Sequence, residues 1–177
     1  MKKALMFLFV LMLCMPAVLA ECSERRYDNG VYAQKVRLCD LDWFSKDRFH
    51  LDPGGVNKDN YGNYYDNEMY AVEGSIDYFL GGQYAELSGT LFVHNRATNT
   101  GYSIYGHLWD TVTFNVYLDD QLIYSRKGLD VRFKPEPLLF NVRGAQFLRI
   151  EFLNNCYIDT GMDRVLAMFG NGELTPL

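Results

Sequence analysis

The run Thr111 to Leu118, TVTFNVYL, alternates strictly: Val112, Phe114, Val116 and Leu118 fall on one face of an extended chain, and Thr111, Thr113, Asn115 and Tyr117 on the other. A helix cannot use that pattern, because it gathers apolar residues at every third or fourth position rather than every second. Asp119-Asp120-Gln121 then breaks the run before a second apolar stretch, LIYS. Asp tolerates the backbone of tight turns, so the two runs read as an antiparallel hairpin and the two aspartates as turn residues before catalytic ones.

The same period recurs along the chain. In SIDYFL, Ile76, Tyr78 and Leu80 share a face; after Gly81-Gly82 the run YAELSGTLFV carries Leu87, Gly89, Leu91 and Val93, its glycine marking a bulge or close packing. Leu138 to Asn154, LLFNVRGAQFLRIEFLN, reads as a second hairpin-like pair turning at Arg143-Gly144-Ala145, with Leu148, Ile150 and Phe152 inward and Arg149 and Glu151 outward. VLAMF, from Val165 to Phe169, suits a short closing strand buried on both faces, and Trp43, in LDWF at the end of the first strand, is expected in the core. Strands at this density, with a turn signal about every ten residues, predict an all-β domain, a β-sandwich or jelly roll. NRATNTGYSIYGHLWD, Asn95 to Asp110, is the longest interruption and reads as a large loop.

The N-terminus belongs to export rather than to this fold. Lys2 and Lys3 precede the apolar run Ala4 to Leu13 and the small-residue site Val18-Leu19-Ala20, so residues 1–20 read as a signal peptide and 21–177 as one secreted domain with no membrane anchor after cleavage. Cleavage leaves 157 of the 177 residues, enough for one core. It also removes two lysines and no acid, so 15 basic residues face 22 acidic ones, a formal charge of −7 that disfavours nucleic acid and anionic membrane. Cys22, Cys39 and Cys156 remain, an odd count; Cys22 with Cys39 would staple the new N-terminus to the first strand, or no pair forms at all.

The succession SIDYFLGGQYAELSGTLFV, TVTFNVYLDDQLIYS, PLLFNVRGAQFLRIEF and a short final strand resembles the NPCBM (NEW2) carbohydrate-binding modules, which accompany bacterial glycoside hydrolases and occur in small secreted proteins. The resemblance is clearest over residues 74–170. It implies a bacterial β-sandwich of galactose-binding-like type, sugar binding by loops, no required cofactor and often a structural calcium ion. Fold alone does not dictate function, so a secreted protein-interaction or adhesion module on the same sandwich is the alternative.

No catalytic motif is present. His50, His94 and His107 lack metal-ligand spacing, and neither Gly-x-Ser-x-Gly nor a phosphate-binding glycine loop occurs. With the resemblance, this makes a non-catalytic module the expectation, with glycan, galactose-containing glycans among them, as the partner and a protein partner as the alternative. A small glycosidase, the third reading, needs only two facing carboxylates, which no motif marks. Sugar sites pack apolar ring faces on pyranose C–H groups and ring them with amides; the loop candidates are Tyr102, Tyr105, His107 and Trp109, with Asn154 and Asn155. The stretch DNYGNYYDN, Asp59 to Asn67, reads first as a hairpin turn into a strand starting at Tyr64. It reads second as a calcium loop through Asp59, Asn63 and Asp66, although glycine stands fourth rather than sixth, and third as a sugar platform.

Overall fold

The computed structural model describes residues 34–71, 73–95, 111–155 and 165–177. Eleven strands form in them: β1 (Val36–Arg37), β2 (Trp43–Asp47), β3 (His50–Lys58), β4 (Tyr64–Tyr70), β5 (Gly74–Phe79), β6 (Tyr84–Val93), β7 (Val112–Leu118), β8 (Gln121–Leu129), β9 (Glu136–Asn141), β10 (Phe147–Asn154) and β11 (Ala167–Pro176). A single 3-10 turn, Leu38–Asp40, separates β1 from β2, and the described residues contain no α-helix.

The strands make two antiparallel sheets. One runs β3-β4-β11-β6-β9 with β1 also beside β11; the other runs β2-β5-β10-β7-β8. The alternation read from Thr111–Leu118 holds: Val112, Phe114 and Val116 are buried between the sheets with Ile76, Tyr78, Leu148, Ile150 and Phe152 from the same sheet. Leu87, Leu91, Val93, Ala167 and Phe169 face them from the six-stranded sheet. Burying a side chain of this size contributes about 1.5–3 kcal/mol, so this interlayer core is the principal stabilising element.

Gly89 is explained by close packing rather than a bulge. A Cβ there would lie 2.2 Å from Cζ of Phe169, so only glycine lets that ring cross β6. Asp119 and Asp120 take left-handed backbone angles, φ 49° and 64°, as the two-residue turn between β7 and β8 requires. The Asp119 carboxylate also accepts the backbone N–H of Gln146 and Phe147, each at 2.8 Å, which fastens this turn to the start of β10.

Three expectations are corrected. Leu138 to Asn154 is not a hairpin: β9 pairs with β6 in one sheet and β10 with β5 and β7 in the other, so the Arg143-Gly144-Ala145 turn carries the chain across the sandwich. Period-two alternation says which face a residue takes but not which sheet it joins. The closing strand is longer than VLAMF, because bulging between Gly170 and Glu173 lets β11 continue to Pro176 along β6. Trp43 is not core; β2 is an edge strand and its five residues are all exposed.

β4 is bent. Its C-terminal half pairs Met69 and Tyr70 with Phe169 and Met168, but Asn67, buried at φ 52°, turns the earlier part away and donates its Nδ2 to the carbonyl of Gly172 at 2.8 Å. β1 takes the vacated place beside Glu173 and Leu174. The freed β3–β4 tip lies over the other face of the six-stranded sheet, where Tyr65 stacks on Phe92 with ring centroids 4.1 Å apart and Met168 completes a small second core.

Candidate functional site

The bent hairpin brings its turn to the end of the sandwich where the described chain leaves at Asn95, re-enters at Thr111 and leaves again after Asn155. Asp59 bridges to His94, Asn60 Nδ2 donates to the Val131 carbonyl, and the Tyr61 hydroxyl donates to the Arg132 carbonyl at 3.0 Å. On the neighbouring strands, Asn155 donates its backbone N–H to the Thr111 carbonyl at 2.9 Å and its Nδ2 to Thr113 Oγ1 at 2.9 Å. This anchors the amide and leaves its Oδ1 without a donor among the described residues. Asn154 pairs with Val112 across the ladder. Tyr102, Tyr105, His107 and Trp109 lie outside the described residues, as do Cys22, Cys156 and residues 1–20.

From this end a polar ladder runs along the outer face of the five-stranded sheet. Strand register sets Ser75, Glu151, Asn115 and Ser125 side by side, and one step further Asp77, Arg149, Tyr117 and Leu122. The Tyr117 hydroxyl and Asn115 Nδ2 both donate to Glu151 Oε2, at 3.0 and 2.9 Å, and Arg149 Nε donates to Asp77 Oδ1 at 2.6 Å. Burial, and then the neighbouring Glu151, raises the Tyr117 phenol above its usual range, so it remains a donor at neutral pH.

The ladder ends in aromatics. Phe44 is 59%, Phe79 56% and Phe147 44% exposed, and Trp43 beside them is 46% exposed. The Phe147 ring lies 5.4 Å from Phe79 and 5.6 Å from Phe44, with planes inclined at 58° and 68°. Such mutually tilted rings favour one another through their quadrupoles but present no single flat platform. Sequence reading missed this cluster; its signal was aromatics at outward positions of strands whose other outward residues are polar.

The calcium reading of Asp59, Asn63 and Asp66 does not fit. Asp59 Oδ1 accepts the backbone N–H of Tyr61 and Asn63, at 2.7 and 2.9 Å, and Oδ2 accepts Asn63 Nδ2 and the Tyr65 hydroxyl, at 2.8 and 2.9 Å. Calcium gathers about six to eight oxygens, whereas this carboxylate already has protein donors at its lone pairs. Burial alone would raise its pKa; the four donors outweigh burial and hold it below the usual range. Burial and then the carboxylate push Tyr65 up to about 12. Asp66 points to solvent, its backbone N–H on Asn171 Oδ1 at 3.1 Å. Among the described residues no three His, Cys, Asp or Glu side chains gather as a metal site.

Beside this turn, Glu68 is fully buried, with no ion pair to a cation among the described residues. Asn57 donates its backbone N–H to Oε1 at 2.8 Å and its Nδ2 to Oε2 at 2.9 Å, and Asn57 Oδ1 lies 3.0 Å from His94 Nε2. Burial raises the Glu68 pKa, against the lowering effect of the two Asn57 bonds. The Cys39 thiol donates to the Glu68 carbonyl at 3.2 Å, and burial pushes it up to about 11.

No family model matches the chain, and no curated protein matches it significantly. Solved structures do. The second CBM51 module with its INT domains from Clostridium perfringens ZmpB, in complex with GlcNAc, superposes with a TM-score of 0.65 at 13% identity. It covers 81% of this chain, and the chain spans 32% of that one. CBM51 from Clostridium perfringens GH95, in complex with methyl-galactose, gives a TM-score of 0.60 at 18% identity, covering 80% of this chain and 100% of that one. The tandem CBM51 modules of the family 98 glycoside hydrolase from Streptococcus pneumoniae SP3-BS71 give 0.65 at 13% identity, over 84% of this chain and 48% of that one. The fold is therefore a two-sheet antiparallel β-sandwich like that of these CBM51 modules, and the all-β sandwich is what the alternation of apolar residues led one to expect.

Proposed function

We propose that the chain is a secreted, non-catalytic carbohydrate-binding module that holds the end of a glycan at the loop end of its sandwich. The carrying observation is that the described domain has the fold of a CBM51 module over that module's full length, the module having been solved with methyl-galactose. The anchored amide of Asn155, beside the Thr111 and Thr113 hydroxyls, supplies acceptor and donor groups where the Trp109 segment rejoins β7. A galactose-containing glycan end is the ligand class. Affinity is modest, because each hydroxyl exchanges a water hydrogen bond for a protein one at small net gain.

A glycan array probed with the protein, with and without chelator, tests this reading. Trp109→Ala and Asn155→Ala should each lose most of the signal, and chelator should leave it unchanged if no metal serves the site. A folded protein that binds no glycan would remove carbohydrate from the lead. The alternative, a protein-interaction module, is favoured by the exposed phenylalanines next to a strand edge that no other described strand pairs.

A further inference from the structure

Among the described residues the two sheets end in β3, β9, β2 and β8, and proline, glycine or repeated register breaks interrupt three of these edges. β3 has Pro53, Gly54 and Gly55 inside a register break between Asp52 and Val56. β9 has Pro137, which has no N–H to give, and β8 breaks register twice and carries Arg126 and Lys127. β2 has neither proline nor glycine; it does carry Lys46 and Asp47 and one register shift, between Trp43 and Ser45, but from Ser45 to Asp47 it runs in even register with Asp77, Ile76 and Ser75. It is also the edge beside the exposed Phe44, Phe79 and Phe147.

We propose that β2 pairs antiparallel with β2 of a second copy of this chain, about a two-fold axis at Ser45. Trp43 to Lys46 is self-complementary in that arrangement, while Asp47 meets Asp42 of the other copy at the solvent-exposed rim. Trp43 and Phe44 share one place in the ladder, opposite Tyr78, because of the register shift before Ser45. Antiparallel pairing about Ser45 sets Lys46 of one copy against that aromatic pair of the other, twice by symmetry. Lys46 already places its ammonium 4.8 Å from the Trp43 ring of its own chain, so the same cation would sit between aromatics of both copies. The axis is perpendicular to the sheet, so both outer faces stay on one side and the two phenylalanine clusters become neighbours. Tilted rings of this kind interlock with other apolar side chains better than they stack on a flat sugar. The proposal does not depend on the carbohydrate reading.

Sedimentation equilibrium of the protein, together with cysteine cross-linking, tests it. A dimer mass is expected at micromolar concentrations, with Phe44→Lys weakening it about tenfold or more. Phe44 is exposed, so circular dichroism should show the variant folded. Residues directly opposed across a ladder lie about 4.5–5.5 Å apart, within disulfide range, so Ser45→Cys should oxidise to a covalent dimer. Ser125→Cys, on the opposite edge, should not. A monomer mass throughout, or cross-linking through Ser125→Cys as readily as through Ser45→Cys, would overturn the proposal whatever the glycan array shows.

Discussion

At the scale of single residues, two buried carboxylates pull stability in opposite directions with pH. Asp59 has a folded pKa below its unfolded one, so its contribution is present above about pH 3.9 and is lost as pH falls through the folded value. Asp59→Ala strands four donors; it should cost about 2–4 kcal/mol in urea unfolding at pH 7 and flatten the acid limb. Glu68 has a folded pKa above its unfolded one, so the unfolded chain ionises first and stability falls as pH rises from about 4.3 to the raised value, then levels. In Glu68→Gln that downward slope should vanish from the plot of unfolding free energy against pH; a slope that persists would place the titration elsewhere. Neither behaviour was legible in the sequence. DNYGNYYDN showed a turn rich in oxygens, but which oxygens face donors depends on a backbone that doubles back on Asp59.

At the scale of elements, the bend in β4 rests on one side chain. Asn67 holds φ 52°, gives one hydrogen bond to Gly172 and leaves its own Oδ1 buried without a partner. Asn67→Gly keeps the angle while removing both the bond and the orphan oxygen, so unfolding should shift by within about 1 kcal/mol. Asn67→Val must force a branched residue into left-handed backbone and should cost about 2 kcal/mol or more by the same measurement. Gly89→Ala drives a methyl into the Phe169 ring and should cost about 1–3 kcal/mol. The strands themselves were legible because alternation is local: TVTFNVYL, SIDYFL and FLRIEF each declare a buried face. The partner of each strand was not, which is why β9 and β10 looked like one hairpin, and Trp43 looked like core because hydrophobicity does not mark an edge.

At the scale of the whole molecule, the two proposals meet in avidity. A two-fold β2 pairing carries two loop ends per particle, so the native protein should be retained on a densely glycosylated surface about 100-fold more strongly than Phe44→Lys. Both should bind a soluble monovalent sugar equally, by calorimetry. Equal retention on the surface would separate dimerisation from sugar binding. The face that joins the two ends, from Asn155 through Glu151 and Arg149 to Phe147, exists only because β5, β10 and β7 lie in one register.

The sequence by itself determined the class of fold, the inward and outward residues of its clearest strands, the β7–β8 turn and the turn at Asp59. Each of these follows from spacing between near neighbours and from the backbone angles a residue tolerates. Tertiary structure decided the sheet each strand joined, the folding of the β3–β4 tip over Phe92, the occupation of Asp59 by protein donors and the exposure of the phenylalanines. Those outcomes depend on contacts between residues far apart in the chain, such as Asn67 with Gly172 and Phe44 with Phe147. Their energies are set by which surfaces meet, and no local period records that.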